Sequence, residues 1–343
     1  MTQDPSRLLS SVACPDREQI PRVERPSVSF VIPVFNDEAN IGRCVRSIQD
    51  QGYPLQYEII VLDNGSTDET HHCLKNLGVS FEVIEHVHVS SLRNRGAQLA
   101  QGDFLAFVDS DVELSEHWMV KGLAEFHNPG IIAIGCFPRI PEGATWVQRA
   151  WDIHQRGRQL QRSEPIAWLP SMNLLVRRDA FWAVGGFNED LETAEDVDLC
   201  YRLSEKGMIL NDPMMAAVHW GEARTVPIFW KKEVWRGIGN VKGLWSHGLR
   251  LDELPSLGYP LYMFVMGLAV VGGGLVDWWV GQFLWGGVAL SLLILPGLLL
   301  ASNTVRQSSQ PRQFIPLSVL YVTYGLARAF SLIKACLPRG KDR

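Results

Sequence analysis

The chain has 343 residues, enough for one α/β domain of roughly 200–250 residues and a further segment. A formal net charge of -5 excludes nucleic acid as the main partner, because binding a phosphate backbone needs an excess of Lys and Arg. The six cysteines (14, 44, 73, 136, 200 and 336) are scattered without a CxxC pair, which excludes a disulfide framework and a structural zinc site and favours a reducing compartment.

Charge is distributed unevenly. Residues 1–256 carry nearly all the acidic groups, while residues 257–337 are almost uncharged. Residues 1–26 are polar, contain Pro15, Pro21 and Pro26, and lack the apolar core of a secretory signal, so they are expected to be a flexible lead-in.

From Val28 onward, short β-rich runs alternate with helical patterns, as βαβ units do. Val28–Ile32 predicts a buried strand, followed by a helix over about 39–50. Tyr57–Leu62 predicts a second strand, ending at Asp63-Asn64-Gly65-Ser66-Thr67-Asp68, which suits a turn and a helix N-cap. Phe104–Val108 predicts a third, ending at Asp109-Ser110-Asp111. In open α/β sheets ligands bind at the carboxyl ends of strands, which is where these polar clusters fall. A linker-like stretch at 138–145 precedes a helix to about Arg162 and a strand at Met172–Val176; Gly185-Gly186-Phe187 reads as a turn, and a helix opens near Glu195.

Residues 227–246 form a Trp-rich, basic, amphipathic segment suited either to packing or to a membrane interface. Residues 260–276 and 282–301 are apolar runs near the ~17–25 residues that a spanning helix needs, with Asp277 in the gap between them. Residues 314–336 carry Arg328 and Lys334 and read as an interfacial helix. That reading keeps Arg306, Arg312 and the basic tail (Arg339, Lys341, Arg343) on the cytoplasmic side. The expected organisation is a lead-in (1–26), an α/β domain (27–225), an interfacial connector (226–256), a membrane region (257–337) and a basic tail (338–343).

Several side chains suit chemistry. Asp109 and Asp111, one residue apart at a strand end, can share a hard cation and the diphosphate it bridges. Glu195 and Asp196 stand at a predicted helix start, where the dipole favours a charged carboxylate able to accept a proton from a hydroxyl. The same pattern also makes a plain N-cap. Asp63 is placed to accept from the N–H of a pyrimidine, with Gly65 allowing close backbone approach. His219 lies after the whole α/β unit, where it can close over a metal or be an ordinary core histidine, and Arg93 suits a phosphate or a solvated helix face.

The run Val28-Ser29-Phe30-Val31-Ile32-Pro33-Val34-Phe35-Asn36 resembles the opening of family 2 glycosyltransferases. The likeness continues through 61–68, Arg93-Asn94-Arg95-Gly96, Val108-Asp109-Ser110-Asp111, Gly185-Gly186-Phe187-Asn188-Glu189 and Glu195-Asp196-Val197-Asp198-Leu199, about residues 27–225 in all. The resemblance implies a GT-A fold: an α/β, Rossmann-like mixed sheet flanked by helices, here followed by a C-terminal membrane helical region. It implies that Pro33, Phe35, Glu38 and Asp63 contact the nucleoside, with Gly65 beside them, and that Arg93 lies by the nucleotide. Asp109, with Ser110 next to it, would touch the ribose or the metal; Asp111 would be the principal metal ligand and His219 a further one. Asp196 would be the general base, with Glu195 orienting the acceptor.

The function so implied is inverting transfer from a UDP- or GDP-sugar, assisted by Mn²⁺ or Mg²⁺, to a hydroxyl of a lipid-linked or membrane-proximal glycan. The enzyme would be a multi-pass membrane protein with its catalytic domain facing the cytoplasm. The Gln-x-x-Arg-Trp motif of processive synthases is missing; Lys232-Glu233-Val234-Trp235-Arg236-Gly237 stands in that region without matching it. A single-transfer enzyme is therefore expected. Three other readings remain: transfer to a polyprenyl phosphate, a non-catalytic membrane scaffold, and a nucleotidyltransferase. The last would need a Gly-rich basic loop where this chain has Pro33-Val34-Phe35-Asn36-Asp37-Glu38.

Overall fold

The computed structural model describes residues 27–51, 56–156, 162–191, 193–247 and 254–336; the lead-in 1–26 and the basic tail 338–343 lie outside them. Three strands run parallel at the start of the chain. They are β1 (Val28–Val34), β2 (Tyr57–Asp63) and β3 (Phe81–Val83), separated by α1 (Ile41–Gln49) and α2 (Thr70–Asn76). Helix α3 (Val89–Leu99) then leads to β4 (Phe104–Val108), which pairs in parallel with the other side of β1. Every residue of β1 is buried, as expected of a β-branched strand covered on both faces.

The rest of the domain contains β5 (Val112–Leu114), α4 (Trp118–Glu125), β6 (Ile131–Gly135), α5 (Trp146–Arg156), β7 (Glu164–Pro165), β8 (Asn173–Arg177), α6 (Arg178–Ala183), α7 (Glu195–Ser204), β9 (Met208–Asn211) and β10 (Ala217–His219). The main sheet has the order β3-β2-β1-β4-β8-β6-β9-β7 and is mixed, because β8 runs antiparallel to both β4 and β6. A small antiparallel pair, β5 with β10, lies apart from it.

The order reverses at β1, with β2 on one side and β4 on the other, and a crevice opens at such a point. The β1–β4 ladder stops at Val31–Phe107, short of Pro33, whose ring has no N–H to donate.

One apolar core packs α1 and α4 on one face of the sheet, including Ile41, Ile48, Trp118 and Met119. A second packs α3, α6 and α7 on the other, including Leu92, Phe181 and Leu199. Gly96 lets α3 lie against the sheet: a Cβ there would sit 2.3 Å from Val31 Cγ1 and 2.8 Å from Leu62 Cδ2. Gly96→Ala is expected to destabilise the protein by about 1–3 kcal/mol through overpacking, measured as a lower midpoint of thermal unfolding in detergent.

The C-terminal part consists of α8 (Val226–His247), α9 (Leu254–Val280), α10 (Trp285–Ser308), a short 3₁₀ turn at Pro311–Gln313 and α11 (Phe314–Cys336). Three stretches, Gly258–Val280, Trp285–Ser308 and Pro311–Lys334, are long and apolar enough to cross a membrane. Much of the apolar surface of α9 and α10 faces outward, as at Leu268, Val271, Leu275 and Leu299.

The helices differ from the sequence expectation in two respects. Asp277 lies within α9 rather than in the turn, because its carboxylate accepts the N–H groups of Trp285 (2.9 Å) and Gly286 (2.8 Å) at the start of α10. Residues 314–336, expected at the interface, form a helix that packs along α8, α9 and α10. Its Leu317, Leu320 and Tyr321 share a core with Val147, Ala150 and Trp151 of α5, Phe229 of α8, Ala301 of α10 and Ala223. Beside this core, Glu233 of α8 is buried and accepts from Arg236 (2.7 Å) and from Arg328 of α11 (3.0 Å).

Candidate active site

At the switch point lies an open cleft of about 210 Å³, lined by Pro33, Phe35, Asn64 and Leu92 and floored by Asp109, Ser110 and Asp111. The loop after β1 is stitched to the loop after β2. Asn36, held at φ 48°, accepts from Thr67 N (2.8 Å), and its own N–H donates to Ser66 Oγ (2.8 Å). Glu38 accepts from Glu69 N (2.8 Å), so its carboxylate caps the approach to α2. Asp37, which sequence reasoning left without a role, accepts from Ser110 Oγ at 2.7 Å and joins the two carboxyl-end loops. Burial raises the Asp37 pKa against the opposing hydrogen bonds from Ser110 and Asn40.

Asp63 is fully buried and organises its own turn. Its carboxylate accepts from Gly65 N (3.1 Å) and Ser66 N (2.9 Å), and lies 2.8 Å from His71 Nε2. Burial works against that charge, but the hydrogen bonds from Ser66 and His71 prevail and lower the pKa. Gly65 takes φ 85°, a conformation that L side chains rarely adopt. Thus Pro33, Phe35, Asp109, Ser110 and Asp111 line the cleft, whereas Asp63, Gly65 and Glu38 shape the loop behind it.

Arg93 is neither solvated nor open to the cleft. Buried on α3, it donates to Asp109 Oδ1 (2.7 Å) and Glu195 Oε1 (2.8 Å), binding the end of β4 to the start of α7. Desolvation opposes its charge, yet the two carboxylates raise the guanidinium pKa further. The adjacent Asn94 exchanges hydrogen bonds with the Phe187 backbone and donates to Glu189 (2.8 Å). The Arg93-Asn94 pair therefore holds the Gly185–Glu189 turn and Glu195 in register with the cleft.

Beside Glu195, the Asp196 pKa is raised to about 7, first by burial and then by the Glu195 charge, with Arg93 opposing. A carboxylate poised near neutrality suits a general base. The preceding residue, Ala194, sits in the left-handed region at φ 64°. That conformation costs roughly 1–2 kcal/mol for a residue with a Cβ. Ala194→Gly is expected to recover part of that cost, measured as a higher midpoint of thermal unfolding in detergent.

On the other side of the cleft, Trp220 N donates to Asp111 O (2.8 Å), and His219 Nε2 stands 3.2 Å from Asp111 Oδ2. Gly221 makes this approach possible, since a Cβ there would meet Asp111 Oδ2 at 1.8 Å. Burial opposes charge on His219, but Asp111 and Glu222 outweigh it and hold the imidazole pKa at about 10. Burial likewise disfavours the Asp111 carboxylate, yet His219 and Lys232 keep its pKa below the usual range.

Asp111 Oδ1 is buried without a hydrogen-bond partner. Among the described residues, no group of three or more His, Cys, Asp or Glu side chains forms a closed metal cage. An orphaned carboxylate oxygen with an imidazole beside it fits an open site, in which phosphate oxygens and water complete the shell of a hard cation.

Residues 29–185 match the family model described as "Glycosyl transferase family 2". The match lies wholly within this α/β domain. The chain is 30% identical over 197 residues to Glycosyltransferase AglE of Haloferax volcanii, spanning 54% of this chain and 64% of that protein. It is 32% identical over 212 residues to the Pre-mycofactocin glycosyltransferase of Mycobacterium tuberculosis, spanning 56% of this chain and 42% of that one. The chain thus spans 42% to 64% of the length of these relatives.

A mannosyltransferase, PcManGT of Pyrobaculum calidifontis, has a similar fold, with a TM-score of 0.53 at 17% identity over 86% of both chains. The α/β domain therefore has the GT-A-like mixed sheet expected from its sequence, and the C-terminal apolar helices fit membrane anchoring. Two of its residues escaped sequence reasoning, Asp37 and Glu222. The second stands three positions after His219, and that spacing is the signal in the sequence that links the two.

Proposed function

We propose that this chain is an inverting glycosyltransferase that moves a sugar from a nucleoside-diphosphate sugar to a hydroxyl of a lipid-linked or membrane-proximal glycan. Asp111 Oδ1, a buried and unpartnered oxygen on a residue that lines the cleft at the switch point, carries this reading. Asp111 and His219 would hold Mn²⁺ or Mg²⁺. Bound there, the cation would offset the charge of the departing nucleoside diphosphate. PcManGT was solved with GDP-Man and Mn2+, which supports that donor and metal class.

Asp196 takes the proton of the acceptor hydroxyl. Arg93 holds Glu195 and Asp109 in place while the Asp196 carboxylate changes charge. Pro33, Phe35 and Asn64 receive the nucleoside. The C-terminal helices anchor the domain in a membrane as a multi-pass protein, with the cleft on the cytoplasmic side, consistent with Arg306 and Arg312 at the junction of α10 and α11.

Titrating the purified full chain with uridine and guanosine diphosphates and their sugars, with Mn²⁺ and with chelator, tests the donor reading. Metal-dependent binding of one nucleotide series is expected. A folded protein that binds none of them would instead leave a non-catalytic membrane scaffold.

A further inference from the structure

We infer that Glu222 is a positioning residue that accepts a hydrogen bond from His219 Nδ1–H and thereby fixes Nε2 of the ring toward a divalent cation at Asp111. The inference rests on the reading of Asp111 and His219 as the metal site.

The His219 ring lies between two carboxylates. Nε2 is 3.2 Å from Asp111 Oδ2, and Nδ1 is 3.3 Å from Glu222 Oε1. Both the imidazole and the Glu222 side chain are largely buried, at 9% and 13% exposure, so water does not substitute readily for either partner. A histidine that donates Nδ1–H to a carboxylate leaves Nε2 as the nitrogen with a lone pair once a cation replaces its proton. Without that acceptor the ring is free to rotate about χ2 and can present either nitrogen.

The backbone that carries Glu222 is fixed at several points. Gln148 Nε2 on α5 donates to Glu222 O at 3.2 Å, and Thr145 Oγ1 donates to Arg224 O at 2.9 Å. Lys232 Nζ on α8 donates to Gly221 O, and Trp220 Nε1 donates to Glu113 at 2.8 Å. Contacts from α5 and the residue before it, from β5 and from α8 thus hold the segment from His219 to Arg224 in place. A competing role for Glu222 is to neutralise Lys232 and Arg236 nearby, which would need its charge rather than its oxygen.

The test is Mn²⁺ affinity of the purified full chain without nucleotide, by calorimetry or by the electron paramagnetic resonance signal of free Mn²⁺. Glu222→Ala is expected to weaken binding by roughly 10–100-fold, the range found when an outer partner of a metal-bound histidine is removed. Glu222→Gln keeps an oxygen that accepts from Nδ1 and is expected to recover most of that loss. In assays, Glu222→Ala should need more Mn²⁺ for half-activation but regain its rate at saturating Mn²⁺.

Wild-type Mn²⁺ affinity in Glu222→Ala, or a Gln variant as weak as the Ala variant, would overturn the positioning role, provided that Asp111→Asn loses Mn²⁺. If Asp111→Asn also binds Mn²⁺ as tightly as the wild type, the metal-site reading itself fails, and this inference with it.

Discussion

Asp196→Asn is expected to lower kcat by roughly 10²–10⁴-fold while leaving nucleotide-sugar binding unchanged, because the amide cannot take a proton from the acceptor hydroxyl. In the wild type, log kcat should rise with pH below about 7 and level off above it, following deprotonation of a carboxylate whose pKa is raised to about 7. The variant should lose that limb. Stability should move the other way. The folded protein keeps the Asp196 proton in a range where an unfolded carboxylate, with a pKa near 3.8, has already lost it. This contribution is present at low pH and is lost as pH rises through the folded pKa. At pH 8 the variant should therefore melt no lower than the wild type, which separates lost chemistry from lost folding. Retention of most of the rate in Asp196→Asn would point instead to an acceptor that is already ionised, such as a polyprenyl phosphate.

Asp111→Asn is expected to abolish Mn²⁺-dependent nucleotide binding and to reduce kcat/KM by about 10³-fold or more, since it removes a charge that nothing else at the cleft floor can replace. Asp109 cannot take over without giving up Arg93, which it already engages at 2.7 Å. Isothermal titration with the diphosphate, with and without Mn²⁺, measures the first effect, and steady-state assays measure the second. Metal-independent binding that survives in the variant would assign nucleotide recognition to the Phe35 and Asn64 side of the cleft alone.

The parallel half of the sheet was legible because its strands are short, β-branched and bounded by turn residues. Phe104–Val108 falls where its composition puts it, and the other two early strands run one or two residues longer. Helix α7 opens at Glu195 as the run of first-turn acids suggests. What lay beyond the sequence was partnership. Nothing local in Ser91-Leu92-Arg93-Asn94 says that the guanidinium lies buried between Asp109 and Glu195, a residue 102 positions away. Asp63 read as a ligand contact because strand-end carboxylates often serve that purpose, yet Ser66 and His71 already engage its oxygens. The length of α9 was hidden by Asp277, since a charged residue in an apolar run marks a boundary unless a neighbouring helix start satisfies it.

The core shared by α5, α8, α10 and α11 has a consequence for handling the protein and for its substrate. A cut after residue 225 would not pass through a linker. It would strip Phe229, Ala301, Leu317 and Leu320 from Val147, Ala150 and Trp151, and turn an interior into a wet apolar face. The same segment that sets His219 beside Asp111 ends in Ala223, within that core. The α/β domain and the apolar helices therefore share one packed interior. For a lipid-linked acceptor, as proposed, that packing ties the His219 side of the site to the apolar helices.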